Sequence, residues 1–147
     1  MLFWNMMLAM VAGFCLPVQA GINARLAVWT RSSILAATVS FAVGTLSLLA
    51  YAFLLRIPWP EIALAGRQPW WTWTGGCIGA FFVASTVVLA PRLGAAPMVA
   101  LVVAGQMLIS VGLDHFGLLG YTLHPMNGWR IFGVALMIGG VVFIQLF

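Results

Sequence analysis

Charge is the scarcest property of this sequence. It contains no lysine, six arginines and two acids, Glu61 and Asp114, and charged residues make up 5% of the chain. A soluble domain is about one quarter charged, because a water-exposed surface requires charge. With 64% hydrophobic residues, this chain must have lipid as its main solvent. The arginines lie singly between apolar runs and form no basic face, which argues against nucleic acid as a partner.

Side chains that carry chemistry are also rare. The chain has two histidines and two cysteines. Cys15 and Cys77 lie inside apolar runs, without a second ligand at metal-binding spacing. No nucleophile elbow, phosphate-binding loop or metal-ligand motif occurs in the sequence. We therefore predict no catalytic residues, no metal and no cofactor, and we expect that the protein is not an enzyme.

Long apolar segments are what the sequence has in abundance. A bilayer core about 30 Å thick requires about 20 apolar residues in a helix that rises about 1.5 Å per residue. Five segments meet this requirement, so we predict an all-α integral membrane protein with a single five-helix transmembrane domain over residues 1–147. The predicted helices cover roughly residues 2–22, 33–55, 70–90, 94–113 and 128–147.

Prolines, tryptophans and glycines add local detail to these helices. Pro17 removes a backbone donor inside helix 1, so we predict a kink or break of the helix there. Ser32 or Ser33 is suited to cap helix 2. Indole rings favour the headgroup level, and the tryptophans near the second loop that mark one membrane boundary are Trp59, Trp70, Trp71 and Trp73. Small residues allow close helix packing, and the glycines expected to do so are Gly75, Gly79, Gly133 and Gly140.

The arginines are balanced across the membrane. Five helices place the two termini on opposite sides. The six arginines then divide three and three, with Arg56, Arg67 and Arg130 on the side of the N-terminus and Arg25, Arg31 and Arg92 on the other. Orientation normally follows an excess of Lys and Arg in cytoplasmic loops, and this chain has none. We infer insertion in both orientations and an antiparallel dimer about an axis in the membrane plane. The alternative is that hydrophobicity alone fixes one orientation.

Polar residues inside the spans recur at helical spacing. Gln106 and Ser110 share one face of helix 4, and Gln19 and Asn23 share one face of helix 1. An unpaired amide near mid-membrane is costly, so Gln106 must meet another helix, a substrate or water. The serines can also bond to the preceding helical turn. The residues predicted to line a substrate cavity are Gln19, Asn23, Arg25, Ser40, Gln106 and Ser110.

Three ionisable residues have two open interpretations each. Asp114 and His115 end helix 4 near the headgroups, where charge costs far less than at mid-membrane. They form either a solvated boundary or a coupling or gating pair that handles protons. Arg25 either snorkels to the interface or reaches inward toward an anionic group.

Five stretches are distinctive in their order and spacing: residues 17–26, 40–45, 90–95, 100–106 and 114–117. Together they resemble the YdcZ-type five-helix family of the drug/metabolite transporter superfamily, and the resemblance covers essentially the whole chain. It implies a multi-pass protein of the bacterial inner membrane. It also implies an antiparallel homodimer, a heterodimer of paired gene products or a fused ten-helix chain.

The resemblance also bears on the cargo. In the related small multidrug transporters, a glutamate inside helix 1 couples cation export to protons, whereas helix 1 here contains no acid. This departure argues against a cation exchanger of that design, because no embedded anion would neutralise the cargo. Either Asp114 takes that role, or the cargo is neutral or anionic and Arg25 helps to hold it. We favour the second.

The sequence therefore predicts a secondary transporter or exporter of a small metabolite or drug-like amphiphile, which alternates access as an antiparallel homodimer. Its expected partners are the lipid bilayer, an inverted second copy and a small-molecule substrate. The alternatives are a dual-topology small-ion channel and a non-transporting membrane helper subunit.

Overall fold

The long helices of the chain match the predicted number. A computed structural model describes residues 1–147, except for the side chains of residues 62 and 63. In this part of the chain the α-helices are α1 (Leu2–Thr30), α2 (Ser33–Leu54), α3 (Thr74–Leu93), α4 (Ala95–Phe116) and α5 (Gly128–Leu146). Five helical segments are long and apolar enough to cross a membrane, with mean hydropathies from 1.5 to 2.0. The prediction of an all-α protein with five membrane-spanning helices is confirmed.

Helix α1 is longer than predicted and has no break. It is helical from Leu2 to Thr30 and includes Pro17, whereas the sequence predicted an end near residue 22 and a kink or break at the proline. A proline removes one helical hydrogen bond, but leaving the helix inside lipid would leave several backbone groups unpaired. Continuing the helix therefore costs less. As a result Arg25 lies within α1 and not in the first loop.

The links on one side of the membrane are very short. Only Arg31 and Ser32 separate α1 from α2, and the amide of Leu35 donates to Ser32 Oγ at 3.3 Å. The predicted cap at Ser32 is thus confirmed. Gly94 alone separates α3 from α4. Its φ of +84° lies in a region that side chains rarely adopt, so glycine allows this tight link.

The other two connections are longer. Residues 55–73 contain two short 3-10 helices, Ile62–Arg67 and Trp70–Trp73, so α3 begins at Thr74 and not at residue 70. The α4 helix runs to Phe116 and ends at Gly117, whose φ is +60°. Asp114 and His115 therefore belong to the last turn of α4, one turn beyond its predicted end.

The chain divides into two compact units. One contains Met1–Pro17 and Leu93–Phe147, and the other contains Val18–Arg92. The core of the second unit consists of small side chains, with Ala36 and Ala37 of α2 packed with Val83 and Val87 of α3. In the first unit, Met98 of α4 and Val141 of α5 are buried. Gln145 Nε2 also donates to the carbonyl oxygen of Pro97 at 3.3 Å.

Candidate functional site

A small pocket that includes polar side chains lies in the unit formed by residues 18–92. It brings together Gln19 of α1 and Ser40 of α2, two residues that were predicted from different helices to line a cavity. Its volume is about 200 Å³, and its lining is Gln19, Ser40, Phe41, Gly44, Thr45 and Leu48. Thr45 was missed because it is five residues from Ser40 and does not continue the helical stripe to which Ser40 belongs.

The depth of this pocket makes its polarity notable. Gln19 precedes the end of α1 at Thr30 by 11 residues, or about 16 Å along the helix. Ser40 follows the start of α2 by seven residues, or about 10 Å. Both positions fall inside a hydrocarbon core about 30 Å thick. Polar residues at such depth usually face a cavity or another helix, which makes the pocket a candidate binding site.

Asn23 lies one helical turn beyond Gln19 and is almost fully buried, with 3% of its surface exposed. Among the described residues, its Nδ2 amide has no hydrogen-bond partner. A buried donor without a partner costs about 1–3 kcal/mol. Such groups are rare in native proteins, and each requires an explanation. Asn23 is therefore the strongest single candidate for a functional side chain in α1.

The other predicted cavity residues do not join this pocket. Arg25 is exposed on α1, and Gln106 and Ser110 are exposed on α4. Ser110 lines a separate groove between α4 and α5. The common spacing of Gln106 and Ser110 placed them on one helix face correctly, but it gave no information about which neighbouring helix that face would meet.

Asp114 forms an ion pair that the sequence did not reveal. Arg130 Nη2 lies 3.1 Å from Asp114 Oδ2, and 33% and 30% of the two side chains are exposed. Arg130 Nη1 also donates to the carbonyl oxygen of His124 at 2.9 Å. The His124 amide in turn donates to the carbonyl oxygen of Asp114 at 2.8 Å. These contacts connect the end of α4 to the start of α5.

His115 and Asn127 extend the same network. The amide of Met126 donates to His115 Nδ1 at 2.9 Å, so this ring nitrogen acts as an acceptor. Asn127 caps α5, because its Oδ1 accepts from the amide of Arg130 at 2.9 Å. Arg130 was missed as a site residue because it is 16 residues from Asp114, and helical periodicity does not report such a separation.

Two grooves accompany these contacts in the unit that contains α4 and α5. One has a volume of about 430 Å³ and is lined by Met107, Ser110, Val111, Asp114, Arg130, Gly133, Val134 and Met137. The other, of about 640 Å³, is almost entirely apolar, and its lining includes Pro17, Ala96, Ala100, Val103, Met137 and Gly140. The first groove therefore has a charged end, and the second has none.

The four glycines predicted to mediate helix packing differ in their surroundings. A Cβ atom at Gly79 would lie 3.6 Å from Cζ of Phe41, an ordinary contact with the tip of that ring. A Cβ at Gly75, Gly133 or Gly140 would meet no atom within 4 Å. For these three, a packing role stays a prediction that requires a partner outside the chain.

The described residues contain no group of three or more His, Cys, Asp or Glu side chains that could hold a metal ion. What they contain is five membrane-spanning helices, with amides and hydroxyls clustered at membrane depth. These features define the chain as a multi-pass membrane protein with an open pocket to which polar side chains contribute.

The chain belongs to the family described as "Putative inner membrane exporter, YdcZ", whose model matches residues 4–143. It is similar to the "Inner membrane protein YdcZ" of Escherichia coli (strain K12), with 30% identity over 135 residues that cover 88% of this chain and 86% of the relative. No solved structure matches the chain. The protein is thus a multi-pass protein of the inner membrane, and the resemblance found in the sequence is confirmed. The family description names an exporter and not a class of enzyme.

Proposed function

We propose that this protein exports a small metabolite or drug-like amphiphile, working as an antiparallel homodimer that alternates access. The observation that carries the proposal is the pocket shared by Gln19 and Ser40 within the membrane-spanning part of the chain. The family description as an exporter supports the same direction.

The size of the pocket favours a second copy of the chain. One chain provides about 200 Å³, whereas ligand sites usually enclose about 300–1,000 Å³. Two copies that face each other would enclose about 400 Å³, which falls in this range. The open surfaces at Gly75 and Gly140 would allow the helices of two subunits to approach closely.

The arginines support opposite orientations of the two copies. Arg56, Arg67 and Arg130 lie in or next to the longer connections, and Arg31 and Arg92 lie at the short ones. Arg25 is five residues before the end of α1, about 7 Å along the helix. This distance is within reach of the interface for a snorkelling arginine. The arginines therefore still divide three against three between the two sides of the membrane. Two copies in opposite orientations would reproduce the inverted repeats of transporters.

Each candidate side chain has a proposed role in this dimer. Gln19 and Ser40 hydrogen-bond to the polar part of the cargo, and the buried Nδ2 of Asn23 donates when rocking opens this face of α1. A neutral or anionic cargo is favoured, because the one acid of residues 18–92, Glu61, lies in a loop, and no anion embedded in this unit would neutralise a cation. For Gln106 and Ser110, which lie on α4 in the other unit, a part in cargo binding stays a prediction. Asp114 and His115 act in gating through their contacts with α5 and the loop before it.

Orientation-locked variants test the dimer. One added lysine in the last turn of α1, next to the first link (Trp29→Lys), and one in the second loop (Gln68→Lys) bias the chain toward opposite orientations. We expect the wild-type reporter at the C-terminus to appear on both sides of the membrane and each variant to favour one side. Each locked variant alone should lose export, and their co-expression should restore it. The uncharged variants Trp29→Gln and Gln68→Asn serve as controls. A reporter that stays on one side throughout, or full export by one locked variant, would contradict the proposal.

Proteoliposome assays separate an exporter from the alternatives. A thermal-shift screen of the purified protein against metabolites, biocides and guanidinium-type cations first identifies ligands, because a ligand that binds the folded state stabilises it. We then expect saturable flux with counter-transport. Flux without saturation would indicate a channel, and a protein without any stabilising ligand would indicate a helper subunit.

A further inference from the structure

The groove between α4 and α5 is amphipathic along its length. Asp114 and Arg130 line one end of it, and Met107 and Met137 line it further along the two helices. In each helix the charged residue and the methionine are seven residues apart, which corresponds to about 10 Å. The groove, of about 430 Å³ in all, therefore leads from a pair of opposite charges to a mainly apolar stretch between the two helices.

The charged end can accept further ligands. About a third of each side chain is exposed, so the ion pair is not sealed. A guanidinium has five N–H donors, and Arg130 uses Nη2 for Asp114 and Nη1 for the His124 carbonyl. Asp114 accepts this bond through Oδ2, which leaves Oδ1 for another donor. The groove thus offers one positive and one negative group side by side.

Aromatic residues place this end at the headgroup level. Trp129 precedes Arg130 directly and is 84% exposed, and Tyr121 in the preceding loop is 57% exposed. Tryptophan and tyrosine favour the membrane interface. From Arg130, α5 then runs through Gly133 and Val134 toward Met137, and so into the hydrocarbon core. The polarity of the groove follows that of the surrounding bilayer.

We propose that this groove binds a zwitterionic phospholipid of the surrounding bilayer. The phosphate lies on Arg130, because guanidinium groups hold phosphate through charge-assisted hydrogen bonds. The ammonium group lies on Asp114. One acyl chain follows the groove between Met107 and Met137, whose side chains adapt readily to such a partner. A purely anionic headgroup would meet the carboxylate of Asp114, and a purely cationic one would meet Arg130. This site does not depend on transport.

Lipid binding by the purified protein tests the headgroup. In nonionic detergent, native mass spectrometry compares phosphatidylethanolamine with phosphatidylglycerol of the same acyl chains. We expect the wild type to bind the zwitterionic lipid about threefold more tightly, a size in keeping with one partly exposed charge contact. Asp114→Asn should abolish this preference, because it removes the partner of the ammonium group and the repulsion of anionic lipid. Equal binding of both lipids by the wild type would overturn the proposal.

Two glycine variants test the location. Gly133 lines the groove and Gly139 does not, although a Cβ at either position would meet no atom within 4 Å. Gly133→Leu should fill the groove and weaken phosphatidylethanolamine binding at least about tenfold. Gly139→Leu, on the same helix, should bind as the wild type does. Far-UV circular dichroism checks that both variants are folded. If folded Gly133→Leu retains wild-type binding, the lipid does not occupy this groove; if it fails to fold, the headgroup comparison decides.

Discussion

The junction between α4 and α5 differs from the face of α1 that carries Gln19 and Asn23 in the hydrogen bonding of its polar groups. At the junction, Asp114, His115 and Arg130 all make hydrogen bonds to other parts of the chain. On the α1 face, the buried Nδ2 of Asn23 has no partner among the described residues. Paired groups contribute stability, whereas an unpaired buried donor lowers it. In the function proposed above, the junction holds α4 and α5 together and the α1 face binds cargo.

The largest expected effect concerns Asn23. Asn23→Leu keeps the approximate size of the side chain and removes the unpaired amide, so we expect it to raise the free energy of unfolding by about 1–2 kcal/mol. If Asn23 binds cargo, the same variant should lower export at least about tenfold, which corresponds to about 1.4 kcal/mol of binding energy. Unfolding in detergent and flux in proteoliposomes measure the two effects.

The control for Asn23 is Thr86, which is also buried, with 4% exposed. Its hydroxyl donates to the carbonyl oxygen of Val83 at 2.9 Å. Thr86→Val should therefore leave export unchanged, and its stability should not increase as much as that of Asn23→Leu. A loss of stability in Asn23→Leu would remove the contrast between the two regions, since it would show that the amide has a structural partner.

A smaller effect is expected at the junction. Arg130→Lys keeps the positive charge, and so the orientation signal, but loses the planar fork that reaches Asp114 and the His124 carbonyl together. We expect it to lower the free energy of unfolding by about 1 kcal/mol, because the pair is partly exposed. Arg92→Lys, an exposed and charge-matched control, should change it by less than about 0.5 kcal/mol. Equal stabilities of the two variants would show that the junction contributes little.

The smallest effect on stability should come from Gln106. Because this side chain is exposed on α4, Gln106→Ala should change the free energy of unfolding by less than about 0.5 kcal/mol. Its effect on ligand affinity should therefore be larger than its effect on thermal stability. Ligand titration and thermal unfolding of the same preparation compare the two. The reverse result would assign Gln106 to helix packing and place it with the paired groups of the junction.

The sequence predicted those features of the fold that depend on composition along one segment. Five spans follow from apolar length, and the cap at Ser32 follows from local backbone chemistry. The end of α1 was predicted too early because Asn23 and Arg25 interrupt the apolar run. Hydropathy falls there, but the demand for backbone hydrogen bonds in lipid still continues the helix.

The candidate site was only partly predictable, because it depends on contacts between helices. Spacing placed Gln19 and Asn23 on one face of α1, but the rotation of α2 that brings Ser40 to Gln19 cannot be derived from either helix alone. The pairing of Asp114 with Arg130 is a contact across a loop. A sequence-level signal for it did exist, since both residues lie next to the same membrane boundary and carry opposite charges.

The unequal lengths of the connections give the two sides of each subunit different surfaces. One side has only short links, Arg31–Ser32 and Gly94. The other side has the two long connections, residues 55–73 and 117–127. In an antiparallel pair, each side of the membrane would carry the short links of one subunit and the long connections of the other. A soluble factor that recognises the tryptophan-rich second loop would then find it on only one subunit of every dimer.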